Sequence, residues 1–244
     1  MININNILSA IKRNDPLEIT YNEVPGSNYN VYLYGYPEFS GCEKKYNTYP
    51  IQGRYGELVS SDNYMTNKII NCVFSILGSE YHQIIRKMKL EWLKGTGTLV
   101  FSDQEDAFYK VLKINYGDME RQIRNYGTFS VEFVCDPYSY LKSGNTQINF
   151  PSQSITNNYD ISHPLYYVSG TGVCTITING KEFEANVSGS MYIDSDLMIS
   201  YRDNQNMSTF VTGDYENLWL QNGVNTLSIT NGFTAMITPR WRCL

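Results

Sequence analysis

The chain has 244 residues, of which 42% are apolar and 18% charged, with a formal net charge of −5. That length allows one large domain or two small ones with a real core, and the composition excludes a disordered chain. The longest basic cluster is Arg86, Lys87 and Lys89, which is too small to displace counterions from many phosphates, so direct sequence-specific nucleic-acid binding is not expected.

The opening residues, Met1-Ile2-Asn3-Ile4-Asn5-Asn6, have neither a basic start nor an apolar h-region, and no window approaches 18 uninterrupted apolar residues. The expectation is a chain that is made and kept in the cytosol until assembly or lysis and does not contact a membrane. Residues 29–36 read as an aromatic strand with Tyr32, Tyr34 and Tyr36 on one face. Further on, the alternation of Ile70, Cys72, Phe74 and Ile76 puts apolar side chains on one face, the period of a strand against a core. The period then changes: Tyr81, Ile85, Met88 and Trp92 recur at steps of four, three and four and build the apolar stripe of a helix, with Ser79 as its N-cap and Gly95 as its stop.

Strands return at 98–102, 108–116 and 127–135. In the last of these Phe129, Val131, Phe133 and Cys135 form one apolar face. Between Asp136-Pro137 and His163-Pro164 the composition shifts to Ser, Asn, Thr, Gln, Pro and Gly, which marks a domain junction and divides the chain into 1–138 and 139–244. Thr175 to Ile178, then Asn179-Gly180, then Lys181 to Glu184 reads as strand, two-residue turn and strand, because type I′ turns need positive φ at both central positions. Asn222-Gly223 and Asn231-Gly232 repeat the pattern, so the last thirty residues are expected to form a meander ending at 235–238, within a β-sandwich. The 21 tyrosines, ten phenylalanines and three tryptophans suit half-buried strands. Five cysteines, Cys42, Cys72, Cys135, Cys174 and Cys243, are scattered and include no C-x-x-C pair, so free buried thiols are expected and no metal site. The chain is therefore read as mainly β with one inserted α-helix.

A series of segments then stands in a recognisable order. It runs Ile51-Gln52-Gly53-Arg54-Tyr55-Gly56-Glu57-Leu58, the strand and helix after it, Leu99-Val100-Phe101-Ser102-Asp103, and Gly127 through Tyr138. It continues with Thr177-Ile178-Asn179-Gly180, Tyr192-Ile193-Asp194-Ser195 and Thr238-Pro239-Arg240-Trp241-Arg242. Together these resemble the distal tail protein (Dit) family of long-tailed phages and prophages of Gram-positive bacteria, over nearly the whole chain. Two features depart from the family pattern: Gln52 stands where Pro is frequent before the Gly-Arg pair, and the C-terminal part lacks a long insertion of the kind that carries an added sugar-binding module.

The resemblance implies a β-sandwich or split-barrel-like N-terminal domain that joins with its copies into a hexameric ring, and a C-terminal galectin-like β-sandwich at the periphery. It implies a structural baseplate hub at the tail tip of the virion, made in the host bacterial cytoplasm. Its partners would be the tail tube protein, the end of the tape-measure protein, a tail-associated lysin or hub protein, and receptor-binding proteins. The candidate oligomer interface is the loop of Gly53, Arg54 and Tyr55 together with Tyr32, Tyr34 and Tyr36, since permanent interfaces are rich in aromatics and poor in charge.

Other residues bear on chemistry. Asp103, Glu105 and Asp106 cluster in a turn, and Asp194 and Asp196 stand two apart, as an acid/base pair or a cation site would. Solvated turns and Asx hydrogen bonds explain both. His82 and His163 are far apart, and no G-x-S-x-G elbow is present. No catalytic residue, metal or cofactor is expected. Among the aromatics Tyr166, Tyr167, Tyr192, Tyr201 and Trp219, a ring could stack on a sugar, and Tyr192 and Trp219 are the candidate sugar or partner contacts. The alternative function is thus a carbohydrate-binding module contacting the host cell wall.

Overall fold

The structure, a computed structural model, describes residues 17–77, 80–123, 126–150 and 153–244. The expected N-cap Ser79 and the opening hexapeptide lie outside the described residues. Strand-forming alternation dominates, and the chain divides into two units, Met1–Ser139 and Tyr140–Leu244.

The first unit contains β1 (Ile19–Tyr21), β2 (Val24–Pro25), β3 (Val31–Leu33), β4 (Glu38–Phe39) and β5 (Lys44–Pro50). After these come β6 (Glu57–Met65), β7 (Lys68–Leu77), the helix α1 (Tyr81–Lys87), β8 (Gly97–Phe101), β9 (Ala107–Ile123) and β10 (Tyr126–Leu141). The main sheet runs β2-β1-β8-β9-β10-β7-β3, with β4 added to β7. In the antiparallel β7–β10 pair Ile70 faces Phe133, Cys72 faces Val131 and Phe74 faces Phe129. All six are buried, and the Phe74 and Phe129 rings stack at 5.1 Å. Cross-strand pairs of this kind fix the register, because a slip of one residue would turn every one of these side chains toward water.

The helical segment lays Tyr81, Ile85, Met88 and Trp92 into the same core, all buried. Over Met88–Trp92 the helix widens into a π turn, closed by the Leu93 N–H donating to the Met88 carbonyl at 3.0 Å. Both polar tips of the stripe are satisfied: the Tyr81 hydroxyl donates to the Thr128 carbonyl at 2.9 Å, and Trp92 Nε1 donates to the Val24 carbonyl at 2.9 Å. Trp92 also stacks on Tyr29 with centroids 5.3 Å apart. Gly127 lets the helix come this close, since a Cβ there would lie 2.3 Å from the Tyr81 ring and 2.9 Å from the Glu120 carbonyl oxygen. Gly127→Val is expected to destabilise the unit by about 1–3 kcal/mol through overpacking, read as a lower urea midpoint at unchanged m-value. An unchanged midpoint would contradict the packing described.

The aromatic segment 29–36 does not form the single strand expected. Gly26–Tyr29 is a 3-10 turn, Asn30 takes a left-handed conformation at φ 54, and only Val31–Leu33 pairs with β7. The positive φ at Asn30 delays the strand, and the backbone bends again at Tyr34-Gly35, so Tyr36 no longer shares a strand face with Tyr32 and Tyr34.

The second unit contains β11 (Ile148–Asn149), β12 (Ser154–Asn157), β13 (Leu165–Ile178), β14 (Lys181–Asp194) and β15 (Ile199–Arg202). It is completed by β16 (Gln205–Asn206), β17 (Val211–Thr212), β18 (Gly223–Ile229), β19 (Thr234–Thr238) and β20 (Arg242–Cys243). The long β13–β14 hairpin is its spine. Asn179 and Gly180 sit at φ 52 and 80, the type I′ turn, and Ile178 pairs with Lys181 across it. Phe183, Ala185, Val187, Met191 and Ile193 point inward from β14, against Tyr166, Val168, Cys174 and Ile176 from β13.

The expected C-terminal meander is corrected by the topology. β18 and β19 do not pair with each other: β18 pairs with 176–178 of β13 and with β12, while β19 pairs with 165–169 of β13 and with β11. Fourteen residues of β13 offer one edge long enough for two partners end to end, and that nonlocal edge captures both strands. Among the described residues no helix is long and apolar enough to cross a membrane.

Candidate assembly surface

Among the described residues β5 and β6 pair only with each other and form a two-stranded sheet of their own. The register runs from Tyr46 opposite Ser61 to Pro50 opposite Glu57. The turn at 51–56 holds Gly53 and Gly56 at φ 84, and the Arg54 N–H donates to the Ile51 carbonyl at 3.2 Å. Side chains with a Cβ are strained at such φ values, which accounts for both glycines. Tyr46, Tyr49, Ile51, Tyr55, Leu58 and Val59 are all exposed, and Tyr55 completely so.

An isolated two-stranded hairpin is marginal in water, and its open edges invite pairing with another chain. Apolar side chains on both strands and at the turn make this arm a surface that gains by being covered. The candidate residues Gly53, Arg54 and Tyr55 lie at its tip, all exposed. Tyr32 and Tyr34 are half-buried on the main sheet, outside the core cluster, and Tyr36 is 82% exposed. The strands of the arm, with Tyr46, Tyr49 and Val59, went unmarked in the sequence. The alternation of Tyr46 with Thr48 was the available signal, and it is short.

In the second unit the chemistry-bearing residues are tied into structure. Asp194 is 2% exposed and accepts a bidentate pair from Arg240, NH1 at 2.7 Å and NH2 at 2.8 Å. Its Oδ1 also accepts the N–H groups of Asp196 and Leu197 at 3.0 and 3.1 Å, an Asx turn that closes the end of β14. Burial raises the Asp194 pKa, but the Arg240 pair and the two backbone N–H groups outweigh it and hold the carboxyl below its ordinary value. Arg240 reaches this position from a left-handed backbone at φ 55, its own N–H donating to the Gly144 carbonyl at 2.7 Å.

Asp196 turns instead toward His163, with Oδ1 2.9 Å from Nδ1. Arg242 spans both ring nitrogens, NH2 2.8 Å from Nε2 and NH1 3.4 Å from Nδ1. The His163 ring stacks on Trp219 at 4.1 Å, and Trp219 Nε1 donates to the Ser195 carbonyl at 3.1 Å. Ser195 is buried, and its hydroxyl donates to the Pro164 carbonyl at 2.7 Å. The serine beside this His–Asp pair is thus engaged with backbone and is not aimed at the imidazole.

Tyr192 lies between Tyr167 at 4.9 Å and Tyr201 at 5.3 Å, in a ladder across β13, β14 and β15. A sugar stacks on an open ring face; here Tyr192 and Tyr201 stack on one another, Tyr167 is tilted against Tyr192 by 52°, and Trp219 has one face against His163. Asp103, Glu105 and Asp106 are exposed in the β8–β9 turn. His82 is exposed and edge-on to Tyr81 at 5.3 Å. Among the described residues no group of three His, Cys, Asp or Glu side chains is placed to hold a metal. Burial pushes the thiols of Cys72, Cys135 and Cys174 up, to about 12 for Cys135 and about 11 for Cys174, so they stay protonated and inert.

Two β units, the first bearing a projecting aromatic arm and the second built on a long central hairpin, define a Dit-like fold, found in a hub protein of a phage adsorption apparatus. The chain is similar to the SPP1 Dit (gp 19.1) protein, described as a paradigm of the hub adsorption apparatus in phages infecting Gram-positive bacteria. The TM-score is 0.62 at 14% sequence identity, covering 94% of this chain and 100% of that chain. At that identity the likeness establishes the fold. No family model matches the chain, and no curated protein matches it.

Proposed function

We propose that this chain is a distal tail protein of a long-tailed phage or prophage, a structural component of the tail tip with no catalytic role. Six copies close into a ring through the domain 1–138. The ring joins the tail tube and the end of the tape-measure protein to a tail-associated lysin or hub protein. The domain 139–244, a galectin-like sandwich, stands outside the ring and docks receptor-binding proteins.

The observation that carries this reading is a likeness spanning both units of the chain and the whole of a phage hub protein. The exposed arm supports it, since cyclic rings need two different patches on each subunit, and an arm reaching onto a neighbour supplies one of them. Native mass spectrometry of the purified chain, alone and with its hub partner, is the test. A six-fold species or its multiples is expected, and a strict monomer under both conditions would overturn the proposal.

A further inference from the structure

Beside the end of the helical segment lies a hollow of about 360 Å³, lined by Lys89, Lys94 and Lys113 around Leu93, Ile114 and Tyr116. Lys89 sits over the Tyr116 ring at 4.3 Å, and the Tyr116 hydroxyl donates to the Leu93 carbonyl, so the floor is fixed. Lys94 and Lys113 are exposed, and among the described residues no carboxylate lines the hollow. In a chain of net charge −5, three ammonium groups around one concave surface make a receptor for an anionic group.

The complementary charge lies at the opposite end of the same hairpin. The turn between β8 and β9 carries Asp103, Glu105 and Asp106, all exposed. Lys94 precedes β8 and Lys113 lies beyond the stretch of β9 that pairs with it, where Gly97 faces Val111. The five residues of β8 separate the turn from the hollow by about 17 Å at roughly 3.4 Å per residue, so the acidic turn cannot fill the hollow of its own chain.

We infer that the acidic turn of one copy docks into the lysine-lined hollow of the next. The inference rests on the ring reading and specifies one of its contacts. Donor and acceptor patches that differ, at opposite ends of one rigid hairpin, are the heterologous pairing a closed ring requires. The aromatic arm supplies apolar area, while the charge pairing sets register and excludes wrong orientations.

Zero-length carbodiimide cross-linking of the full chain, using a mixture of isotopically light and heavy copies, tests this directly. Links from Lys94 or Lys113 to Asp103, Glu105 or Asp106 are expected between light and heavy chains in the oligomeric fraction. In parallel, Lys94→Glu with Lys113→Glu, and separately Asp103→Lys with Glu105→Lys and Asp106→Lys, are each expected to weaken assembly by about tenfold or more. The chain carrying both sets should assemble again. An oligomeric wild type indifferent to both reversals, or lysine reversals that the acidic-turn reversals fail to rescue, would overturn the inference alone; the second result would indicate another anion in the hollow. A monomeric wild type would remove the ring reading and this contact with it. If the reversed chains fail to fold by circular dichroism, the cross-links decide, and their absence from wild-type oligomer overturns the pairing.

Discussion

Asp194→Ala is expected to destabilise the C-terminal unit by about 3 kcal/mol or more, lowering its Tm by on the order of 10 °C. The size follows from what is left behind. Arg240 would keep its charge in a largely buried position without the bidentate partner at 2.7 and 2.8 Å, and the Asp196 and Leu197 N–H groups would lose their acceptor. Asp194→Asn keeps an acceptor for the turn but not the charge, so it should fall between wild type and Ala. Acid should expose the same device. The folded pKa of Asp194 lies below its unfolded value, so the stabilisation is complete above the unfolded pKa of about 4 and fades as pH falls through the folded value. Chemical denaturation of wild type and Asp194→Asn should therefore show a gap that is constant near neutrality and narrows below about pH 4. A gap independent of pH would mean that the ion pair does not carry the effect.

Replacing Tyr49, Tyr55 and Leu58 by Ser is expected to abolish self-association while leaving the fold intact. All three side chains are exposed on the arm, so the monomer should lose no more than about 0.5 kcal/mol per substitution. At an interface, buried tyrosines are frequent hot spots worth about 2 kcal/mol or more each, so assembly should weaken by roughly a thousandfold or more. Analytical ultracentrifugation over a concentration series, with thermal melts as control, reads both effects. Retained oligomer would remove the arm from the interface.

The parts of the fold legible in the sequence were those whose signal is local. The stripe of Tyr81, Ile85, Met88 and Trp92 needed only its own spacing, and so did the apolar face of Phe129, Val131, Phe133 and Cys135. The Asn179-Gly180 turn was readable because its backbone demand falls on two adjacent residues. Pairing partners are different. β18 and β19 read as neighbours in a meander because Gly-containing turns flank them, yet the free edge of β13, some fifty to seventy residues earlier, takes both. The Asp194–Arg240 pair spans 46 residues and had no local mark, so the two aspartates at 194 and 196 could not be separated into one ion-paired anchor and one histidine partner. The exposed arm is half legible: glycines at its tip stand out, whereas the exposure of Tyr46 and Tyr49 depends on no third strand among the described residues joining β5 and β6.

Electron cryo-microscopy of the purified chain in its assembled form bears most directly on the proposed ring. The expected result is a six-fold ring around a central pore, with each β5–β6 arm lying on the adjacent subunit and the C-terminal units outside. Single particles with arms free in solvent, or an open filament without closure, would contradict it.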